Sequence, residues 1–207
     1  MANTEASAII TPPTSEAEVA DLLTAASDIL TATDALSDQP VSAPLGLPDL
    51  DYVVPNPEEH QTLLVAMRKA CGWDAGMVPT WFKQQAEGTR FMAIFYLPGT
   101  KTPIGMGGVE LQDFDRQDKD VADVETQRGC IVSLFLYKQY RGRGYLGKIL
   151  SICEEIAREQ GKLKVLTIYG LAKAGGYEKF GYRTFKVAVR NYGGKNDWET
   201  RYLEKVL

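Results

Sequence analysis

The stretch that decides the fold begins with the run Ile131-Val132-Ser133-Leu134-Phe135-Leu136 and leads into Gln139-Tyr140-Arg141-Gly142-Arg143-Gly144. The first run is β-branched and aromatic and has the length of a strand. Beyond the glycines, apolar residues recur at helical spacing from Leu146 to Ala157, and Gly161 then ends the pattern. The sequence therefore predicts a strand, a basic glycine-bearing turn and an amphipathic helix in succession.

The turn between these two elements is predicted to bind an anion. The first backbone N–H groups of a helix lack partners within the helix, and the helix dipole adds partial positive charge there. Gly142 and Gly144 let the backbone approach an anion without a Cβ in the way, and Arg141 and Arg143 add positive charge. The turn is neither a P-loop nor a full G-x-G-x-x-G motif. An ordinary loop is the alternative, whereas the flanking strand and helix disfavour an RNA-binding Arg-Gly tail.

The composition indicates a globular protein whose anion site is local. The 207 residues are 44% hydrophobic and 24% charged, enough for one domain with a core and a tail. A formal charge of -4 and a pI near 5.2 argue against a nucleic-acid partner. Three cysteines without CxxC or Cys/His spacing predict neither a disulfide framework nor a metal site, and they suit a reducing compartment. Since no membrane span or signal pattern is found, we expect a cytoplasmic location without membrane attachment, with the nucleus left open.

Residues 1–48 differ from the rest of the chain in composition. They are rich in Ala, Ser, Thr, Pro and Asp and contain no aromatic residue, so we expect a flexible N-terminal extension. Ser15 and Glu18 form a capping-box pair ahead of a helical pattern, which predicts a possible helix at about 16–37. That helix would either dock or dimerise, or it would lie on the parent domain or form transiently, so monomer and homodimer both stay open. The folded domain is predicted over residues 49–207.

The order of the predicted elements is that of one mixed α/β domain. The polar stretch 112–128 is interpreted as a solvated loop or, alternatively, as an acidic rim that attracts a cationic substrate. His60, the single histidine, is expected to be packed or solvated rather than catalytic. The other predicted elements are a strand at 50–54, a helix from Asn56 to Gly72, a helix at 79–87, strands at 91–97 and 104–111, a strand at 163–168, a weak helix at 171–180, and an antiparallel pair at 182–190 and 198–206.

Two motifs together produce a resemblance to a known family. Gln139-x-x-Gly142-x-Gly144 matches the pattern Q/R-x-x-G-x-G/A. Tyr177-Glu178-Lys179-Phe180-Gly181-Tyr182 matches a second motif that is usually Tyr-Glu-Lys-aliphatic-Gly-aromatic. From about residue 50 onward the sequence resembles the GCN5-related N-acetyltransferase (GNAT) superfamily. The resemblance implies an α/β fold whose mixed, mostly antiparallel sheet is splayed at two central parallel strands and flanked by about four helices.

The resemblance also implies an activity. It predicts an N-acetyltransferase that uses acetyl-CoA as cosubstrate, without a metal, and transfers the acetyl group to a primary amine by direct attack on the thioester. The amine would belong to a small molecule or a peptide. The alternative is a catalytically weak CoA-binding regulatory or scaffold module.

Cofactor-binding residues are implied on the central strand and the turn. Backbone groups of the strand would pair with the pantetheine arm, and main-chain amides of the turn and the next helical turn would hold the pyrophosphate. The strands would splay at Leu136 and Val165, and a backbone N–H near Leu136 would meet the oxygen that gains charge. The implied residues are Leu134, Phe135, Leu136, Gln139, Arg141, Gly142, Arg143, Gly144 and Tyr145.

Tyr177 is implied to be the general acid that returns a proton to the departing CoA thiolate. The sequence departs from the family pattern near it. Gly170 stands where the family often has Asn, and Gly176 stands where it has a bulky aliphatic residue. Tyr169 is a nearby substitute.

The central strand contains no carboxylate, so the general base is assigned to Glu110, acting through water or Ser133. An exposed carboxylate at a strand end is the alternative interpretation of Glu110. The acceptor is expected to contact the connections that face the thioester, although tryptophans more often pack in a core. The candidate substrate-binding residues are Trp73, Asp74, Trp81 and Tyr192.

Overall fold

Seven strands form one mixed sheet in the order β1-β2-β3-β4-β5-β7-β6. The computed structural model describes residues 49–114, 117–171, 176–191 and 197–207, and the predicted extension 1–48 lies outside them. The pair β4–β5 is parallel and the other neighbouring pairs are antiparallel. The strands are β1 (Asp51–Val53), β2 (Arg90–Tyr96), β3 (Pro103–Glu110), β4 (Arg128–Leu136), β5 (Val165–Leu171), β6 (Arg183–Asn191) and β7 (Asp197–Val206).

Three α-helices occur in the described residues: α1 (Pro57–Ala70), α2 (Val78–Ala86) and α3 (Tyr145–Glu159). The predicted start signal of α1 is confirmed, because the Asn56 side chain accepts a hydrogen bond from the Glu59 N–H at 2.8 Å and Pro57 opens the first turn. The helix ends where Gly72 adopts a φ of 72°. The predicted fold class is confirmed.

The helices lie on opposite faces of the sheet. The apolar stripe of α3, which includes Ile149 and Cys153, packs with Phe95, Ile131 and Leu166 in one core cluster. The buried residues of α1 and α2 pack with the alternate side chains of β2 and β3 and with Phe135 in a second cluster. Because strand side chains alternate between faces, β4 contributes to both clusters and separates them.

A β-bulge in β4 sets the place where the sheet opens. Met106 faces Phe135 and Gly108 faces Val132, so the single residue Gly107 opposes both Ser133 and Leu134. Ser133 adopts a φ of 54°, the left-handed region that a bulge can require. A bulge bends its strand, and this one lies just beyond Ile131, the last residue of β4 that pairs with its parallel neighbour.

The parallel pairing of β4 and β5 runs only from Arg128 opposite Val165 to Ile131 opposite Ile168. The prediction that the strands splay at Leu136 and Val165 is therefore wrong in position, since Val165 is paired. The strands part after Ile131 and Ile168 because the bulge redirects β4 immediately beyond that point.

Two other expectations differ from the structure. The weak helix predicted at 171–180 does not form in its described part, because β5 continues to Leu171 and only a 3₁₀ turn occurs at Glu178–Phe180. The polar stretch is not simply solvated either: Val121 and Ala122 are buried against the sheet. The Thr167 hydroxyl donates to the Val121 carbonyl at 2.7 Å, which pins this segment across β5.

Candidate active site

A groove of about 610 Å³ opens at the ends of the diverging strands. Its residues come from both faces of the sheet. Leu134, Leu146 and Tyr177 pack against the cluster around α3, whereas Cys71 packs against the cluster around α1 and α2. The groove therefore passes beside the end of β4 from one face of the sheet to the other.

The glycine turn forms one end of this groove. Gly142 and Gly144 have φ values of 74° and 86°, and Gly144 is the N-cap of α3 without a side-chain hydrogen bond. The first intrahelical bond of this turn runs from the Gly147 N–H to the Gly144 carbonyl at 3.0 Å, so the preceding N–H groups keep their donor capacity. A Cβ on Gly142 would project into open space, the space a phosphate needs to reach these donors. The turn therefore offers backbone donors and open space to an anionic group.

The end of β4 supplies a backbone donor to the same groove. The Tyr137 N–H donates to the Ile104 carbonyl of β3 at 2.9 Å. Because successive backbone groups of a strand point to opposite edges, the Leu136 N–H points away from β3, toward the opening left by β5. The Leu136 carbonyl accepts from Arg141 Nε at 2.9 Å, which ties the turn to the strand. Leu134, Phe135 and Leu136 all line the groove, as do Arg141, Gly142 and Gly144.

Three of the predicted cofactor-binding residues are not among the described residues that line the groove. Gln139 lies in the 3₁₀ turn Lys138–Tyr140, and Arg143 is exposed. Tyr145 packs edge-on against Tyr140, with ring centroids 6.3 Å apart. Any contact of these three with a cosubstrate stays a prediction.

Tyr177 lines the same groove as the glycine turn. Its ring packs edge-on against Tyr182 at 6.5 Å, and the Tyr182 hydroxyl donates to the buried Glu154 carboxylate at 3.2 Å. Burial raises the pKa of Tyr177 above its ordinary value, so the phenol stays protonated in neutral solution. The proposed substitute, Tyr169, instead packs on Tyr202 at 5.5 Å and is not among the described lining residues.

The structure does not bring Glu110 to the groove. Its carboxylate is buried and forms an ion pair with the buried Arg90 guanidinium, which also donates from Nε to Gln84 Oε1 at 2.9 Å. Glu110 faces Cys130, four residues before Leu134 on β4, or about 13 Å along the strand. Ser133 is closer, at the bulge, but it is not among the described lining residues.

The candidate substrate-binding residues are separated by the fold. Trp73 lines the groove and is 41% exposed, whereas Trp81 lies on the buried face of α2. The Asp74 side chain caps the 3₁₀ turn Ala75–Met77 by accepting from the Gly76 N–H at 2.8 Å. Tyr192 lies outside the described residues.

The sequence interpretation missed Cys71 as a lining residue. Its thiol donates to the Met67 carbonyl at 3.0 Å, and burial raises its pKa to about 11, so it stays a protonated thiol. No feature of the sequence around Cys71 indicated its place in the groove. The motif around Tyr177 and the glycine turn could have indicated most of the other lining residues. The other missed residues are Ala70, Lys179 and Phe180, whereas Leu146 and Gly147 lie in the helical turn whose main-chain amides were implied to hold the pyrophosphate.

The described residues contain neither a candidate metal site nor a candidate membrane span. Within residues 49–114, 117–171, 176–191 and 197–207, no three His, Cys, Asp or Glu side chains are grouped to hold a metal ion. In the same part of the chain, no helix combines the length and apolarity needed to cross a membrane.

Comparisons with known proteins agree with the fold. Curated proteins give no match to this chain. An acetyltransferase of the GNAT family from Streptococcus pneumoniae is 14% identical with a TM-score of 0.57, and the match covers 77% of this chain and 100% of the other. An N-acetyltransferase from Staphylococcus aureus Mu50 is 11% identical with a TM-score of 0.60, covering 76% and 98%. The dodecameric spermidine N-acetyltransferase from Vibrio cholerae is 7% identical with a TM-score of 0.60, covering 76% and 93%.

At these identities the structures establish the fold, and the family follows from a separate match. The model of the acetyltransferase (GNAT) family matches residues 58–182, which is more than half of the chain. That range includes the strand, the glycine turn, α3 and the motif around Tyr177. Members of this family use acetyl-CoA as the acetyl donor. The chain belongs to the acetyltransferase (GNAT) family and is an N-acetyltransferase.

Proposed function

We propose that this protein transfers an acetyl group from acetyl-CoA directly to a primary amine, with Tyr177 as general acid. The observation that supports this most is the convergence on one groove of the glycine turn, the Leu136 N–H and the Tyr177 side chain. These are an anion site, a donor for developing negative charge and a proton source. Together they would hold the cosubstrate, stabilise the developing charge and protonate the departing thiolate.

Binding of the cosubstrate is assigned to the turn and to β4. The N–H groups at the start of α3 would hold the pyrophosphate, and Arg141 and Lys179 would add positive charge at the groove wall. Because these donors are local, the net negative charge of the chain does not oppose the assignment.

When bound, acetyl-CoA supplies a thioester carbonyl that an uncharged amine can attack. The Leu136 N–H stabilises the negative charge that develops on the carbonyl oxygen. The Tyr177 hydroxyl gives its proton to the departing sulfur, and its raised pKa keeps that proton available at neutral pH.

The cysteines support direct attack rather than an acetylated enzyme. Cys71 is in the groove, but its thiol is bonded to the Met67 carbonyl and its pKa is raised to about 11. A thiol that stays protonated at pH 7 is a weak nucleophile. Cys153 lies on the buried face of α3, within the core.

Deprotonation of the acceptor is the step for which the described groove offers least help, since Glu110 is held in its pair with Arg90. An amine with a pKa of about 10.4 must lose a proton at a cost of roughly 4–5 kcal/mol at pH 7. An α-amine with a pKa of about 8 costs only about 1 kcal/mol. We therefore propose that less basic amines are the better acceptors, and that Ser133 or water relays the proton.

The experiment is acetyl-CoA consumption, measured as free thiol release, with a panel of amines across pH 6 to 9. Turnover should appear with at least one amine class, and the rate should rise with pH through the pKa of the amine. Silence with every amine while CoA still binds by calorimetry would favour a binding module. Absence of CoA binding would refute the assignment of the turn.

A further inference from the structure

We infer that Trp73 is a preformed platform for an aromatic group on the acceptor amine, held in place by the guanidinium of Arg68. This inference rests on the proposed function and names the substrate class of the same groove. It concerns the part of the groove on the face of α1.

The helix end fixes the backbone of Trp73. The Gly72 N–H donates to the Lys69 carbonyl at 2.9 Å, and the Trp73 N–H donates to the Arg68 carbonyl at 3.0 Å. Together with the φ of 72° at Gly72, these bonds form a Schellman motif. In this motif the residue after the glycine packs back on the last turn of the helix, which directs the indole of Trp73 toward the side chain of Arg68.

The Arg68 side chain fixes the ring. Its guanidinium carbon lies 5.0 Å from the centroid of Trp73 and 4.8 Å from that of the buried Trp81. Arg68 Nε also donates to the Asp74 carbonyl at 2.9 Å, so the guanidinium is held from the loop as well. The indole of Trp73 thus rests on a cation that cannot readily turn away.

Trp81 connects this stack to the interior. Its ring lies 4.9 Å from the guanidinium carbon of Arg90, and Arg90 is held by the buried carboxylate of Glu110. Rings and guanidinium groups therefore alternate from the groove to the second core cluster. The arrangement gives Glu110 a role in supporting the groove wall.

The chemistry of the platform selects the acceptor. Trp73 is 41% exposed and lines the groove, so it offers an aromatic surface to a bound molecule. A guanidinium already attracts the π electrons of that ring, and Arg141 and Lys179 add positive charge in the same groove. Like charge opposes a polycation there, whereas a neutral aromatic ring can stack on the indole. We expect an amine that carries an aromatic ring close to the amino group.

The test measures kcat/KM for 2-phenylethylamine, 3-methylbutylamine and spermidine in the wild type and in Trp73→Ala and Trp73→Phe. We expect the wild type to prefer 2-phenylethylamine over 3-methylbutylamine by about tenfold or more, with spermidine poorest. Trp73→Ala should lose this preference through KM, Trp73→Phe should keep most of it, and the Kd of CoA should stay unchanged in both. Arg68→Gln should lower the preference in part and shift the tryptophan fluorescence.

Three outcomes would overturn the inference. They are turnover of 3-methylbutylamine or spermidine equal to that of 2-phenylethylamine, an aromatic preference that survives Trp73→Ala, and loss of CoA affinity in Trp73→Ala. Each leaves the proposed acetyltransfer intact, whereas thiol release with none of the amines would remove the proposed function itself. A peptide with an N-terminal phenylalanine, assayed beside 2-phenylethylamine, separates a peptide acceptor from a small amine with the same ring.

Discussion

Replacing Glu110 by Gln should destabilise the protein without changing the pH dependence of turnover. The carboxylate and the Arg90 guanidinium are both buried, at 8% and 5% exposure, and each is the charged partner of the other. Removing one partner of a buried pair leaves the other charge uncompensated, at a cost of about 3–5 kcal/mol. Arg90 keeps its hydrogen bond to Gln84 and its contact with the Trp81 ring, so we expect the lower end, about 3 kcal/mol.

Urea denaturation followed by tryptophan fluorescence measures this loss, and the melting temperature should fall by about 6–12 °C for a domain of this size. Glu87→Gln is the matched control, because the Lys83–Glu87 pair is exposed and 3.8 Å apart. That variant should change stability by no more than about 0.5 kcal/mol. The reasoning is refuted if Glu110→Gln keeps the wild-type stability but loses the rise of kcat/KM with pH, as a general base would require.

Three further perturbations test other parts of the structure. Gly144→Val places a β-branched residue at a φ of 86° and a side chain among the phosphate donors. Calorimetry should therefore show a loss of CoA affinity of at least about tenfold, and wild-type affinity would contradict this prediction. Glu154→Gln removes the charged acceptor of Lys205 Nζ, bonded at 2.8 Å, and should lower the free energy of unfolding by about 2–3 kcal/mol. An unchanged urea midpoint would show that the bond between Lys205 and Glu154 does not stabilise the fold. Burial lowers the folded-state pKa of His60, so this residue contributes stability above about pH 6.5 that is lost as the pH falls through the lowered pKa. The free energy of unfolding of His60→Gln should therefore fall less steeply with acid than that of the wild type. An equally steep fall in both proteins would contradict this prediction.

Local signals in the sequence were sufficient for most of the fold. The cap at Asn56, the stop at Gly72 and the strand patterns depend on neighbouring residues, and the structure places helices and strands where they predict them. Leu134 to Leu136 and most of the glycine turn line the groove, and their contact with CoA stays a prediction.

The errors concern interactions between distant segments. Glu110 has the sequence context of an exposed strand end, and only the packing of α2 brings Arg90 and Gln84 around it. The opening of the sheet depends on a bulge at Ser133 that one extra residue creates against Gly107, and no composition signal marks it. Burial of Val121 depends likewise on a hydrogen bond from Thr167, 46 residues away.

The most direct test of the central claim compares Tyr177→Phe with the wild type in two measurements on the same protein, turnover with the best amine and CoA affinity by calorimetry. Tyr140→Phe serves as control, because Tyr140 lies beside the turn but is not among the described lining residues. Loss of a positioned general acid predicts a kcat lower by about 10²–10⁴-fold with the Kd of CoA within about twofold of the wild type. An unchanged kcat in Tyr177→Phe would contradict the assignment of the proton donor and, with it, the proposed mechanism.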